Sequence, residues 1–269
     1  MRPKVLTKAP YKAKKLLEYV GLKEITNFPL ETLIAGLGAI LIEEPLVSCD
    51  GRIIHGKHNT IIKVNSEIQY EARKRFTIAH EIGHLQLHKN IPIHNDTSNT
   101  LNWFHRTEKK LVKGIQELEA NEFATELLMP DKLFYEQAKG EIFSPDLLVS
   151  LSNRFKTSIT STIFRYLQFP LHPIFISFIS NGIVQYWKKS DDLRVWVKDL
   201  NKLPPPSDSV SREYIDFNYG FLYSGREKKQ EISKSTWFEI SNREEDSIFY
   251  EYCIPTKKYK TILSVVWEN

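Results

Sequence analysis

The stretch Arg75–His88, RFTIAHEIGHLQLH, holds three of the chain's eight histidines and one glutamate inside an apolar run. Within it, His80-Glu81-Ile82-Gly83-His84 reads H-E-x-x-H. On an α-helix, residues four apart lie one above the other on one face, so both imidazoles can reach a single ion. Neutral imidazole nitrogens suit tetrahedral zinc, and a catalytic zinc site takes three protein ligands and a water. Glu81 is offset by about 100° from His80. That puts it outside the ligand pair but within reach of the bound water, as a general base should be. Composition alone produces such a motif in on the order of one chain in a hundred, so accident is the plain alternative. Against accident, the motif lies among Phe76, Ile78, Ala79, Ile82, Leu85 and Leu87. A helix that apolar is buried, and buried imidazoles and carboxylates need partners.

A third ligand is sought downstream, in Gln116–Leu128. At about 100° per residue, Ala120, Phe123, Ala124, Leu127 and Leu128 share one arc. Glu119, Glu122 and Glu126 project away from its centre and are expected to form a solvated face. Glu117 falls at the edge of the arc, with Asn121 one turn above it, and is read as a carboxylate turned toward the core. Glu117 is therefore the expected third ligand, and Asn121 a residue that orients one of the ligands.

The elements that must position these groups follow from local patterns. Helical spacing marks Ala13–Leu22, ending near Gly21, and Pro29-Leu30-Glu31-Thr32-Leu33 opens a second helix. AILIEEPLV reads as a strand, and Gly51–Asn65 as a hairpin around His55–Asn59. After the motif helix, Lys89–Thr107 reads as a polar loop, and a long helix runs from about Glu108 to Met129, stopped by Pro130. SPDLLVSLSNRF and SITSTIFRYLQ are two short helices. Beyond Pro170 and Pro173 the runs IFISFI, GIVQYW, LRVWV, IDFNYGFLY, SIFYEYCI and KTILSVVW have the β-branched and aromatic content of strands. The expected fold is α+β: a helical core with a small sheet over 1–135, a helical segment over 136–170 and a β-rich domain over 171–269.

With 269 residues and 41% hydrophobic content the chain can bury a real core, and its formal charge of +4 does not by itself argue for nucleic acid. Two distant cysteines, Cys49 and Cys253, suit a reducing compartment. There is no apolar run of membrane-spanning length and no signal-peptide core, so a cytoplasmic protein that does not enter a membrane is expected.

The motifs RFTIAHEIGHLQLH and ELEANEFATELLMP, with P-L-E-T-L-I-A-G-L-G and a hairpin ending in TIIKVN upstream, resemble the ImmA/IrrE metallopeptidases. The likeness runs from about Ala13 to Pro130, with a weaker echo in LLVSLSNRFKTSITSTIFRYL. It implies a gluzincin-like zinc peptidase whose ligands match His80, His84 and Glu117 and whose base matches Glu81. It also implies a helix-turn-helix transcriptional repressor as substrate, regulation by stress, DNA damage or phage, and single-stranded DNA as an activator of some members. Segment 144–168 resembles a helix-turn-helix-like middle region, and the C-terminal region is expected to be GAF-like and sensory.

The oxyanion of peptide hydrolysis needs a second donor besides the metal. His88, near His84 in helical phase, is a candidate for that role or for a place behind the ligands, and His58 and Tyr70 are weaker ones. The Thr60–Asn65 strand could present an edge to an extended peptide. Cys49 or Cys253 could mask the metal as a thiolate, against the blander reading of a buried apolar cysteine. The competing function is a DNA-responsive binding protein with a structural zinc, supported only by the basic clusters Lys12–Lys15 and Arg73–Arg75.

Overall fold

Ala9-Pro10 starts the first helix four residues earlier than helical spacing predicts, because a proline in the first turn has its φ preset and loses no hydrogen bond there. The structure is a computed structural model. It describes residues 8–47, 49–88, 93–97, 111–220, 222–223, 225–241 and 243–268. Residues 98–110, which include most of the second half of the predicted polar loop and the predicted start of the long helix, lie outside the described residues. The chain divides into two compact units. The described residues within Met1–Gln137 and Ser150–Thr162 make the first, and those within Ala138–Val149 and Ile163–Asn269 make the second.

The first unit contains α1 (Ala9–Tyr19), α2 (Leu30–Gly36), β1 (Ala39–Glu44), β2 (Cys49–His55), β3 (Thr60–Asn65), α3 (Glu71–Leu87), β4 (Ile93–Thr97) and α4 (Leu111–Leu128). Most of α5 (Asp131–Ala138) belongs to it, while α6 (Pro145–Phe155) and α7 (Ile159–Tyr166) divide between the units. Gly56 donates its N–H to the Asn59 carbonyl to close the β2–β3 hairpin, as the sequence predicts.

The sheet order is β1-β3-β2-β4. This corrects two expectations. β3 is an interior strand, paired in parallel with β1 and antiparallel with β2, so its backbone groups are consumed and Thr60–Asn65 offers no edge to a peptide. Residues 93–97 of the predicted loop form a strand on the far side of β2, because the hairpin leaves that ladder open to pairing.

In the second unit, β5 (Ile174–Ser180), β6 (Ile183–Lys189), β8 (Gln230–Ser233), β10 (Ile248–Thr256) and β11 (Thr261–Glu268) form an antiparallel sheet of order β6-β5-β11-β10-β8, the β-rich region that composition predicts. β7 (Trp196–Val197) pairs separately with β9 (Phe238–Glu239), and α9 (Lys234–Trp237) precedes it. The β5–β6 turn is Asn181-Gly182 with φ of 50° and 76°, the pair of positive values that a two-residue hairpin needs. Pro255 is tolerated in β10 because β8 pairs only with Ile248–Glu251, leaving the proline beyond the double ladder.

The described residues of IDFNYGFLY form no strand. Ile215 and Asp216 end α8 (Val210–Asp216), and Asn218 and Tyr219 take positive φ. Ser209 caps this helix by accepting the Arg212 N–H, and the carboxylate of Glu251 accepts the N–H groups of Val210 and Ser211 at 2.9 and 3.1 Å. Satisfied first-turn donors outweigh the weak strand preference of the residues that follow. Trp237, Ser264 and Cys253 also donate to Glu251, which is fully buried. Burial raises its carboxyl pKa, and the hydrogen bonds from Ser264, Trp237, Val210 and Ser211 oppose that rise.

Candidate metal centre

α3 and α4 approach closely at Gly83. A Cβ there would lie 3.0 Å from the Cα and carbonyl oxygen of Ala120 and 3.3 Å from Cβ of Phe123. The missing side chain lets two i,i+4 pairs face each other, His80 and His84 from α3 and Glu117 and Asn121 from α4. The apolar arc expected for α4 is buried as a block, with Ala120, Phe123, Ala124, Leu127 and Leu128 all at zero exposure.

The Nε2 atoms of His80 and His84 are 2.9 Å apart. Glu117 places Oε2 at 3.3 Å from His80 Nε2 and Oε1 at 3.8 Å from His84 Nε2. Among the described residues, these three side chains form a group whose ligand atoms all lie within 4.8 Å of one another. His80 and His84 are buried, while the Glu117 side chain is 30% exposed and marks the side open to solvent. Asn121 Oδ1 lies 2.7 Å from His80 Nδ1. With the amide oxygen accepting, the proton sits on Nδ1 and the Nε2 lone pair points at Glu117. Two imidazole nitrogens and a carboxylate gathered in this way fit a tetrahedral zinc site with one position left open.

Glu81 is completely buried on the neighbouring face of α3, beneath β2. A Cβ on Gly51 would meet Glu81 Oε1 at 2.6 Å and Thr77 Cγ2 at 2.7 Å, so only glycine lets the strand pass over this carboxylate. Asp50 anchors the strand there, accepting from Arg73 Nε at 2.7 Å. Gly51→Ala is expected to displace the buried side chains of Glu81 and Thr77, at a cost to folding of about 1–3 kcal/mol. The expected result is a fall in kcat of about 10-fold or more with metal content unchanged, since small misplacements of a reacting group cost rate steeply. Steady-state kinetics with elemental analysis of the variant would show it.

His88 is the C-cap of α3, with Nδ1 2.9 Å from His84 Nδ1 and Nε2 3.0 Å from Glu119 Oε2. It stands on the Nδ1 side of His84, behind the converging atoms. His58 is exposed in the hairpin turn, and Tyr70 is 73% exposed at the start of α3.

The expected solvated face of α4 is corrected at two positions. Glu119 is held by His88, and Glu126 is buried near Lys14 of α1, where it accepts the Asp131 N–H at 3.1 Å. Helical phase on one helix does not reveal that α1 and the end of α3 cover these residues. Gly51 and Gly83 were also missed. Each had a signal, an isolated glycine inside a strand and inside a buried helix, which marks close backbone approach.

Five of the six basic residues in the two clusters make intramolecular contacts. Arg73 pairs with Asp50 at 2.6 Å, Lys74 with Glu43 at 2.5 Å, Lys14 with Asp131 at 2.5 Å and Lys15 with Glu18 at 2.6 Å. Buried Arg75 donates to the Ile25 carbonyl. Both cysteines are free and buried, and neither joins the His80 group among the described residues. Burial and the Glu251 carboxylate push the Cys253 thiol well above its usual range.

Residues 36–166 match the peptidase M78 family model, described as the IrrE N-terminal-like domain. The chain is similar to the IrrE N-terminal-like family over these residues. The match runs from the end of α2 to the end of α7 and contains every residue of the centre just described, so the region similar to a peptidase family also carries a group able to hold a metal. An uncharacterized immunity region protein 2 of Bacillus phage phi105 is 35% identical over 95 residues, 35% of this chain. The matched part spans 54% of that curated relative. A Mycobacterium tuberculosis transcriptional regulator shares the fold with a TM-score of 0.60 at 13% identity, over 98% of this chain and 76% of that one. No helix among the described residues is long and apolar enough to cross a membrane.

Proposed function

We propose that the chain is a zinc-dependent endopeptidase that cleaves a helix-turn-helix transcriptional repressor in the cytoplasm, under control of a stress, DNA-damage or phage-derived signal. The observation that carries this reading is the convergence of His80, His84 and Glu117 beside a buried Glu81. A purely structural zinc site has no use for that extra carboxylate. The relative from a phage immunity region supports a regulatory substrate. The intramolecular pairing of Lys14, Arg73 and Lys74 gives no support to a DNA-binding alternative, or to single-stranded DNA as a ligand held by them.

Zinc, when bound, supplies a Lewis acid and lowers the pKa of a water towards neutrality. Glu81 takes the proton from the attacking water and delivers it to the leaving amine. Asn121 keeps the His80 ring in register by accepting from Nδ1, and the exposed flank of Glu117 is the side from which a peptide enters. In this reading residues 1–135 are the peptidase, 136–170 a helix-turn-helix-like connector and 171–269 a GAF-like sensory domain.

Elemental analysis of the purified chain and of Glu117→Ala tests the reading. About one zinc per chain is expected in the wild type and a loss of it in the variant, with cleavage of a co-expressed repressor stopped by a chelator. A wild type free of zinc and inert toward every repressor encoded beside it would sink the proposal.

A further inference from the structure

We propose that Glu119 and His88 are positioning residues that fix the tautomer of His84, so that its Nε2 is delivered to the metal without a proton. The inference rests on the zinc reading above and adds two residues to it. The geometry is a chain of three contacts running from α4 back to α3. Glu119 Oε2 is 3.0 Å from His88 Nε2, His88 Nδ1 is 2.9 Å from His84 Nδ1, and His84 Nε2 is 2.9 Å from His80 Nε2.

Each link dictates the next. An ionised carboxylate only accepts, so His88 must carry a proton on Nε2. A neutral His88 then has a lone pair on Nδ1, and it can meet His84 Nδ1 at hydrogen-bond distance only if that atom carries the proton. His84 is left with a bare Nε2. Asn121 imposes the same tautomer on His80 through a single contact, its Oδ1 2.7 Å from His80 Nδ1. Two unprotonated nitrogens therefore point at one another beside the Glu117 carboxylate, an arrangement a cation satisfies. The two ligands are set by different devices, an amide for His80 and a carboxylate–imidazole pair for His84. Such contacts behind a ligand typically change metal affinity by about 10- to 100-fold.

The burial pattern agrees. His88 is 7% exposed at the C-cap of α3, where its backbone N–H is already taken by the His84 carbonyl. Its ring is thus held against the turn that carries His84, and Glu119, 28% exposed in its side chain, closes the far end of the chain.

The test uses the full chain. Nitrogen-15 NMR of the metal-free wild type, labelled on histidine, should show His84 protonated on Nδ1 and His88 on Nε2. Zinc affinity, measured by competition with a chelator, should fall at least 10-fold in His88→Leu and Glu119→Leu. Glu119→Gln, which keeps an acceptor oxygen, should lose only a few-fold, and visible spectra of the cobalt-substituted proteins should rank in the same order. Urea midpoints identify any variant that has lost its fold, in which case the wild-type tautomers and Glu119→Gln still decide. Wild-type tautomers opposite to these, or unchanged affinity in a folded Glu119→Leu, would overturn the relay while leaving the zinc site standing. Failure of the zinc reading looks different, because the wild type itself would bind no zinc.

Discussion

Glu81→Gln is expected to lower the peptidase kcat by about 10²- to 10⁴-fold, the usual contribution of a positioned general base, while zinc content and fold are retained. Glutamine has nearly the shape of glutamate, so it fits under Gly51, where there is room for the native side chain and nothing larger. It cannot take a proton from water. Glu81 is absent from the three-residue group able to hold a metal, so zinc content should not depend on it. Burial of a charge is relieved in the variant, and thermal stability should hold or rise. Turnover of a cleaved repressor or model peptide, measured beside zinc content, separates this outcome from loss of metal. Full activity in Glu81→Gln would remove the residue from the chemistry.

Gly83→Val should have the largest effect on the architecture of the centre. The atoms that a new Cβ meets at 3.0 Å are the Cα and carbonyl oxygen of Ala120, which are backbone and cannot swing aside. α3 and α4 must separate, at a cost of about 1–3 kcal/mol for an overpacked core, and the valine adds its own lower helix preference. Separation carries Glu117 away from both histidines, so zinc affinity should drop by 10-fold or more together with the urea midpoint. Gly83→Ala gains about 1 kcal/mol of helix propensity against the same clash and should fall between valine and wild type. Gly114→Ala is the control. It lies on the same α4 with nothing within 4 Å of its Cβ, and should leave zinc affinity alone. Equal zinc affinity in folded Gly83→Val and wild type would show that the close approach is not what gathers the ligands.

Much of the chemistry was legible in the sequence because it depends on short periods. H-E-x-x-H and the Glu117–Asn121 pair are i,i+4 relations, and an α-helix brings such residues together whatever surrounds it. The apolar arc of α4 and the change to strand-forming residues beyond Pro170 are equally local. So is the helix boundary at Pro130.

What failed was local evidence standing alone against long-range partners. IDFNYGFLY has strand composition, yet Glu251, from a strand that follows it by some distance in sequence, satisfies the first turn of a helix there. β3 reads as an exposed edge until β1 is known to pair with its free side. Glu119 points away from its own helix's apolar arc, and only the packing of α3 on α4 reveals His88 as its partner. The sequence by itself determined which residues could hold a metal and which could move a proton. The tertiary structure decided that they meet, through two glycines whose missing side chains let α4 and β2 approach α3, because no helical or strand period encodes the distance between elements.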